Sequence, residues 1–432
     1  MRIAIIGAGV AGLTAAHRLD PVHDVTVFEA GAHAGGHTNT VDIEDPDAGP
    51  LAVDTGFIVL NDRTYPHFTA LLEELGVPTQ PTHMGFSVSA GPGPDDFEFA
   101  GTPRGLFCQP QNVARPAFHR MIADLLRFNR DLDRERRAGS SRTLGELLDA
   151  GGYGDLFRQR LIGPQVSAVW SADPEQIRSF PAGFLAQFFH NHGMLSLRNR
   201  PQWLTVAGGS RTYVAAIERR LQRPVRTRSP VVRVARHPGH VAVVPAAGPA
   251  ERFDEVILAC HSDQALALLA DPSPAERAIL GALPYQRNEA VLHTDAGLLP
   301  RRRQARQAWN FHLLAEPQGR TTVTYWMNRL QRLDTPTDYC VTLNLAERID
   351  PARVLGTFAY AHPALTPAGI AAQFIFTIRR LLRLLRLWMA RAISSLPVPV
   401  SPRISTVLSL CATISTCLST LYMASLRPMI SP

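Results

Sequence analysis

The chain contains no lysine: all 44 of its basic residues are arginine. That excludes catalysis through a lysine Schiff base and the lysine-bearing phosphate loop of triphosphatases. Cysteine is scarce, with five residues at 108, 260, 340, 411 and 417 and no Cys-x-x-Cys spacing. Neither a disulfide framework nor a thiolate zinc site is expected, and a reducing compartment fits. Acid is missing from one end, where residues 351–432 hold eight arginines and no Asp or Glu. The net charge of +7 therefore belongs to that stretch, and the rest of the chain is close to neutral. Nucleic-acid binding needs a basic face on a folded module with stacking aromatics, so no nucleic-acid partner is expected. There is no charged-then-apolar leader with a small-residue cleavage site, so a cytoplasmic location is expected. No internal repeat is present.

What the chain does have is size and apolar content. With 432 residues and 45% hydrophobic composition it can bury a large core divided among two or three lobes. Residues 2 to 6, Arg-Ile-Ala-Ile-Ile, read as a strand buried on both faces. Helical spacing follows from Val10 to Leu19, then a second strand, Asp24-Val-Thr-Val-Phe-Glu, completing a βαβ unit. Residues 112 to 178 read as a mainly helical lobe, with Met121, Leu125, Leu126 and Leu132 on one stripe and Arg127, Arg130, Arg134 and Arg137 largely on another. Strands are expected again from Pro230, His240 and Phe253, and Thr321 to Met327 alternates like a half-exposed strand.

The strongest chemical signal is Gly7-Ala8-Gly9-Val10-Ala11-Gly12, between the first strand and the first helix. Gly7 suits a tight turn, Gly9 lets backbone approach a pyrophosphate, and Gly12 lets helix pack closely on strand. Glu29, followed by Ala30, ends the second strand, where a carboxylate can accept ribose hydroxyls. This pattern alone serves NAD or FAD. A glycine pair then follows in Gly35-Gly36-His37-Thr38, where backbone N–H groups can meet phosphate oxygens.

Glu29 followed by Gly35-Gly36 resembles the flavin amine oxidase and phytoene desaturase superfamily. Within it, the chain is similar to bacterial stand-alone relatives of the flavin domain fused to plant cyclopropane fatty acid synthases. The stretches that carry this are Gly35-Gly-His-Thr-Asn-Thr-Val, Val53-Asp-Thr-Gly-Phe-Ile-Val-Leu-Asn-Asp-Arg-Thr-Tyr-Pro, Trp203-Leu-Thr-Val-Ala-Gly-Gly-Ser-Arg-Thr-Tyr-Val and Tyr325-Trp-Met-Asn-Arg-Leu-Gln. The resemblance spans residues 1 to about 373. It implies an α/β fold: a Rossmann-type FAD-binding domain with an inserted α+β substrate lobe. The implied division is 1–80 and 205–270 for the FAD-binding domain, 81–204 and 271–373 for the substrate lobe, and 374–432 as an atypical tail.

By position, the implied cofactor-binding residues are Gly7, Ala8, Gly9, Val10, Ala11, Gly12, Glu29, Ala30, Gly35, Gly36, His37 and Thr38. Asp54, Thr55 and Gly56 are implied near the flavin ring, and Val231 at the adenine. No catalytic side chain is singled out. The implied function is an FAD-dependent oxidoreductase taking hydride from an apolar substrate, such as a fatty acyl chain, for flavin N5. The alternatives are an amine oxidase acting on a polyamine or amino acid, and a non-catalytic remnant with an incomplete flavin site. The implied partner is a cyclopropane fatty acid synthase-like methyltransferase, and peripheral contact with the inner face of the membrane is expected.

Two departures from the family pattern stand out. Amine oxidases of the superfamily place a lysine near flavin N5, and this chain has none. The family's closing Gly-rich stretch, with Phe-His-Glu-Asp-Gly, is also missing. After Gln373 comes a basic Leu/Arg segment, then a Ser/Thr/Leu/Pro-rich one, with no glycine after Gly369. One reading makes this a basic amphipathic segment followed by an uncharged stretch, Ile404 to Leu426, that enters a membrane. The other makes it a frame-shift product of a GC-rich gene. His190 and His192 lie two apart without a third ligand in reach, so no metal site is expected, and they are read as lining or packing residues of the substrate lobe. Arg301 to Arg306 is read as a solvated basic loop.

Overall fold

The computed structural model describes residues 1–91, 96–170, 176–196, 199–316, 318–364, 366 and 369. The 374–432 tail, and with it both readings of that segment, lies outside the described residues. The chain divides at Thr366, and the architecture below is that of Met1–Thr366.

Strand β1 (Arg2–Ile6) lies between β2 (Asp24–Phe28) and the strand Glu255–Leu258, both parallel to it. Its residues divide by alternation. Ile3 and Ile5 face a layer of helices, packing with Leu13 and Ala16 of α1 (Val10–Leu19), with Leu71, Leu72 and Leu75, and with Tyr213 and Ile217. Ala4 and Ile6 face an antiparallel meander, Val231–His237, His240–Pro245 and Glu251–Phe253, through Val234, Val243 and Phe253. Burial on both faces is why the run carries no polar side chain after Arg2.

The larger sheet has seven strands in the order Val354–Pro363, Tyr285–His293, Cys340–Leu343, Val323–Trp326, Trp309–Leu313, Phe86–Ala90 and Glu98–Ala100. The register puts Phe86, Val88, Trp309, Phe311, Val323, Tyr325, Val341, Leu343 and Phe358 on one face. That face packs on the helical lobe and on the hairpin of β3 (Thr40–Asp45) and β4 (Gly49–Asp54). The opposite face corrects the half-exposed reading of residues 321–327, since Thr321, Thr322, Val323 and Thr324 are all at most 2% exposed. Their strand is central, and the threonines answer other buried polar groups instead of water. Thr324 Oγ1 lies 2.7 Å from Thr342 Oγ1 and 2.8 Å from His312 Nε2, and His293 Nε2 lies 2.7 Å from Thr342 Oγ1.

The helical lobe is built on Pro116–Ala138, ended by Gly139 in the left-handed conformation. Its buried stripe is Phe118, Met121, Phe128 and Leu132, with Leu125 partly covered; Leu126, expected on the stripe, is exposed. The arginine loop is a latch. Arg301 and Arg302 donate backbone N–H groups to Glu98, which is 1% exposed, and the Arg302 guanidinium adds a bond of 2.8 Å. No helix among the described residues is long and apolar enough to cross a membrane.

Candidate functional site

The three glycines after β1 have different physical roles. Gly7 turns the chain at φ +103°, and a Cβ there would lie 2.7 Å from the Ala259 carbonyl oxygen. A Cβ on Gly12 would fall 1.9 Å from the Gly7 carbonyl oxygen, so α1 packs directly on the strand end. Gly9 is the opposite case. Nothing lies within 4 Å of its Cβ position, and it opens a helix with no side-chain cap and no acidic residue in its first turn. Val10 and Ala11 are exposed beside it. An uncapped helix N-terminus behind an open glycine presents N–H groups and the positive end of the helix dipole to an anion.

Glu29 ties this turn to the next one. Its Oε2 accepts the Ala8 N–H at 2.8 Å, and its Oε1 accepts the Gly31 N–H at 2.7 Å. Ala30 is exposed at the same strand end. Ser229 donates its backbone N–H to the Glu29 carbonyl at 2.8 Å, which brings Pro230 and Val231 alongside. The second glycine pair presses against the first turn: Gly35 donates to the Ala8 carbonyl, and a Cβ on Gly36, at φ +61°, would lie 3.2 Å from the Gly9 Cα. Thr38 is buried with its hydroxyl on the Tyr213 hydroxyl.

His37 joins the second glycine pair to residues 56–57. Its carbonyl accepts the Phe57 N–H, and a Cβ on Gly56 would lie 2.1 Å from that oxygen, so only glycine fits at 56. Its ring packs against Tyr360, His362 and His261. Burial, then the two neighbouring imidazoles, hold His37 down to about 4.

The Asp54 carboxylate is fully buried and engaged with protein. It accepts the Ser210 N–H at 2.9 Å, the Ser210 hydroxyl at 2.8 Å, the Thr40 hydroxyl at 2.6 Å and the Gln331 amide at 3.0 Å. Burial pushes its pKa up to about 6 against these hydrogen bonds. Thr55 Oγ1 lies 2.7 Å from the Tyr360 hydroxyl and 2.9 Å from Asn39 Nδ2. Asp54 thus ties β3, β4, the turn at Gly208-Gly209-Ser210 and residue 331 into one unit.

The structure therefore gathers Gly7 through Gly12, Glu29 and Gly35 through Thr38 around one open space at the carboxyl end of the parallel sheet, with residues 54–56 against His37. Ser210, Gln331, Tyr213 and Tyr360 were not anticipated as their supports. The first three lie inside or beside the motif stretches at 203–214 and 325–331, but no spacing assigns them a partner. His190 borders a separate groove of about 380 Å³ with Arg63, Thr64 and Asn199. His192 packs against Phe188 and Trp203, with ring centroids 4.0 and 6.0 Å away.

The family model described as flavin containing amine oxidoreductase matches residues 10–298. Among curated proteins, the chain is similar to "Putative flavin-containing monoamine oxidase AofH" of Mycobacterium tuberculosis, 27% identical over 290 residues, covering 62% of this chain and 59% of that protein. The chain thus spans less than two thirds of the length of that relative. Among solved structures, its fold is similar to cyclohexylamine oxidase from Brevibacterium oxydans, with a TM-score of 0.57 and 16% identity over 86% of this chain and 90% of that one. It is also similar to a CLA-producing fatty acid isomerase from P. acnes, with a TM-score of 0.56 and 15% identity over 84% of this chain and 86% of that one. The open face of Gly9, the uncapped α1 and Glu29 fit the diphosphate and ribose of a dinucleotide. This chain belongs to the flavin containing amine oxidoreductase family, and its cofactor is FAD.

Proposed function

We propose that the chain is an FAD-dependent oxidoreductase acting on an apolar substrate, a fatty acyl chain in particular, rather than on an amine. The observation that carries the substrate class is the character of the inner face of the seven-stranded sheet. Trp309 and Tyr325 contact both the helical-lobe core and the β3–β4 core yet stay partly uncovered, and Phe86 and Phe358 stand on the same face. The register puts no Asp, Glu or Arg on that face, so no carboxylate stands there to pair with a cationic amine. The absence of lysine from the chain points the same way.

FAD, when bound, supplies the two-electron acceptor for hydride from a substrate C–H bond. The protein's part is to bind and orient. Gly9 and the first amides of α1 would hold the diphosphate, Glu29 and Ala30 the adenosine ribose, and Val231 the adenine. The Gly35–Thr38 turn would close over the phosphates, and residues 54–56, held by Asp54, would border the flavin. The aromatic sheet face excludes water from the reacting centre. The resemblance of the sequence motifs to the flavin domain of plant cyclopropane fatty acid synthases supports such a methyltransferase as partner, with the chain in the cytoplasm at the inner face of the membrane.

The test is anaerobic bleaching of the flavin absorbance in the purified protein, with the released cofactor identified by mass. Bleaching by unsaturated or cyclopropane-bearing phospholipid is expected, with none by putrescine or simple monoamines. Bleaching by the amines alone would establish the amine oxidase reading instead.

A further inference from the structure

Three imidazoles from three separate segments converge at the carboxyl edge of the parallel sheet. His37 follows the Gly35–Gly36 turn, His261 leads into the helix Ser262–Leu268, and His362 lies near the end of the strand Val354–Pro363. The His37 ring centroid is 5.5 Å from that of His362 and 5.9 Å from that of His261. Tyr360 meets His37 edge-on at 5.1 Å, and Tyr285 stacks on His261 at 4.4 Å. All three histidines are partly buried. Among the described residues no group of His, Cys, Asp and Glu is arranged to hold a metal ion, so the cluster calls for a different ligand.

Its position says which. Ala259, two residues before His261, carries the carbonyl that a Cβ on Gly7 would strike, and Gly36, directly before His37, lies against Gly9. The cluster therefore flanks both glycine turns, in the crevice where open α/β sheets bind their ligands. Imidazoles crowded like this oppose one another's protonation: burial and His261 lower His362, as burial and both neighbours lower His37. An anion set among them reverses that balance, because it stabilises the imidazolium form. A diphosphate diester is such an anion, and it stays doubly charged through the neutral range.

We propose that His37, His261 and His362 form a binding site for the diphosphate of the dinucleotide, and that the cofactor is taken up together with a proton. The inference rests on the reading of the glycine turns as the cofactor site. Because the histidine pKa is higher in the bound state than in the free state, binding is tightest at low pH. It weakens as pH rises through the bound-state value, by up to about tenfold per pH unit for one proton. The other titratable groups around the cluster are Tyr285, Tyr360, Cys260, Asp263, Glu29 and Asp54. Burial raises Cys260 and Tyr360, so both stay neutral across this range. Asp54 titrates within it but is sequestered by Ser210, Thr40 and Gln331.

The experiment is calorimetric titration of the full-length apoprotein with FAD, and with ADP-ribose, which carries the same diphosphate without a flavin. It is run at about pH 6 and about pH 8 in buffers of different ionisation enthalpy, with Kd expected to rise roughly tenfold for both ligands and a proton to be taken up. The double variant His261→Gln, His362→Gln should flatten that slope, with folding checked by circular dichroism. If the double variant does not fold, the imidazole C–H resonances of the unmodified protein take its place, and they should shift to higher pKa on adding ADP-ribose. Equal affinity at both pH values with no proton uptake overturns the proposal while leaving the cofactor reading intact. So does a slope that survives the double variant unchanged, since two of the three imidazoles would then take no part in the proton uptake. Failure of both ligands to bind at any pH overturns the cofactor reading and the proposal together.

Discussion

Gly9→Ala is expected to leave the fold intact and to remove FAD binding, whereas Gly12→Ala is expected to damage both. Gly9 has φ −70° and ψ 178°, a conformation alanine adopts freely, and its Cβ would meet nothing within 4 Å. On the folding side the change should be neutral or stabilising by up to about 1 kcal/mol, through the lower entropy of the unfolded chain. The new methyl group, however, stands in the space before α1 that a phosphate must enter. An affinity loss of about a hundredfold or more is expected, equivalent to roughly 2.7 kcal/mol. At Gly12 the added Cβ would sit 1.9 Å from the Gly7 carbonyl oxygen, so backbone must move. A cost of about 3 kcal/mol is expected there, the upper range for overpacking. Denaturant midpoints and flavin content of the two variants decide the matter. Full flavin occupancy in Gly9→Ala would show that the diphosphate does not lie over α1.

Asp54→Ala is expected to destabilise the protein by about 3 kcal/mol or more, because it leaves buried donors on Ser210, Thr40 and Gln331 without an acceptor, at roughly 1–3 kcal/mol each before water compensates. The effect should reach the site, since the same carboxylate joins β3, β4 and the turn at Gly208-Gly209-Ser210. The wild-type pH dependence has a definite sign. The carboxyl is raised from 3.8 to about 6 in the fold, so the native state holds the proton more tightly than the unfolded chain. Its contribution is complete below the unfolded value and is lost as pH rises through about 6, by roughly 2–3 kcal/mol in total. Asp54→Asn cannot ionise and should lack this step. Parallel stability curves for wild type and Asp54→Asn between about pH 4 and pH 7 would show that Asp54 is not the titrating group.

The parts of the molecule that were legible beforehand are those with short-range causes. Gly7 and Gly12, between an apolar run and a helical one, are demanded by backbone within a few residues or by the adjoining strand, and Gly9 leaves the space before α1 open. Glu29 is legible because it ends the second strand of the same unit. At Thr321 to Thr324 alternation predicts exposure, and the structure buries all four residues. A period of two says that two faces differ, not that one meets water, and here the polar face is satisfied by Thr342, His293 and His312 from neighbouring strands. Leu126 failed for a related reason: Phe118 and Phe128 define the buried stripe of that helix and leave it outside.

By itself, then, the sequence determined the βαβ start and the glycine turns, which depend on local backbone freedom, and its motif stretches carried the resemblance to the family and with it FAD. Only the tertiary structure decided what supports the site. Asp54 meets Ser210 156 residues away and Gln331 277 residues away, and Tyr360 reaches Asn39 across 321 residues. Gathering His37, His261 and His362 likewise required the parallel sheet and the end of the seven-stranded sheet to be in place. Such contacts leave no periodic trace in the chain, because their partners are set by how layers pack rather than by what lies next in sequence.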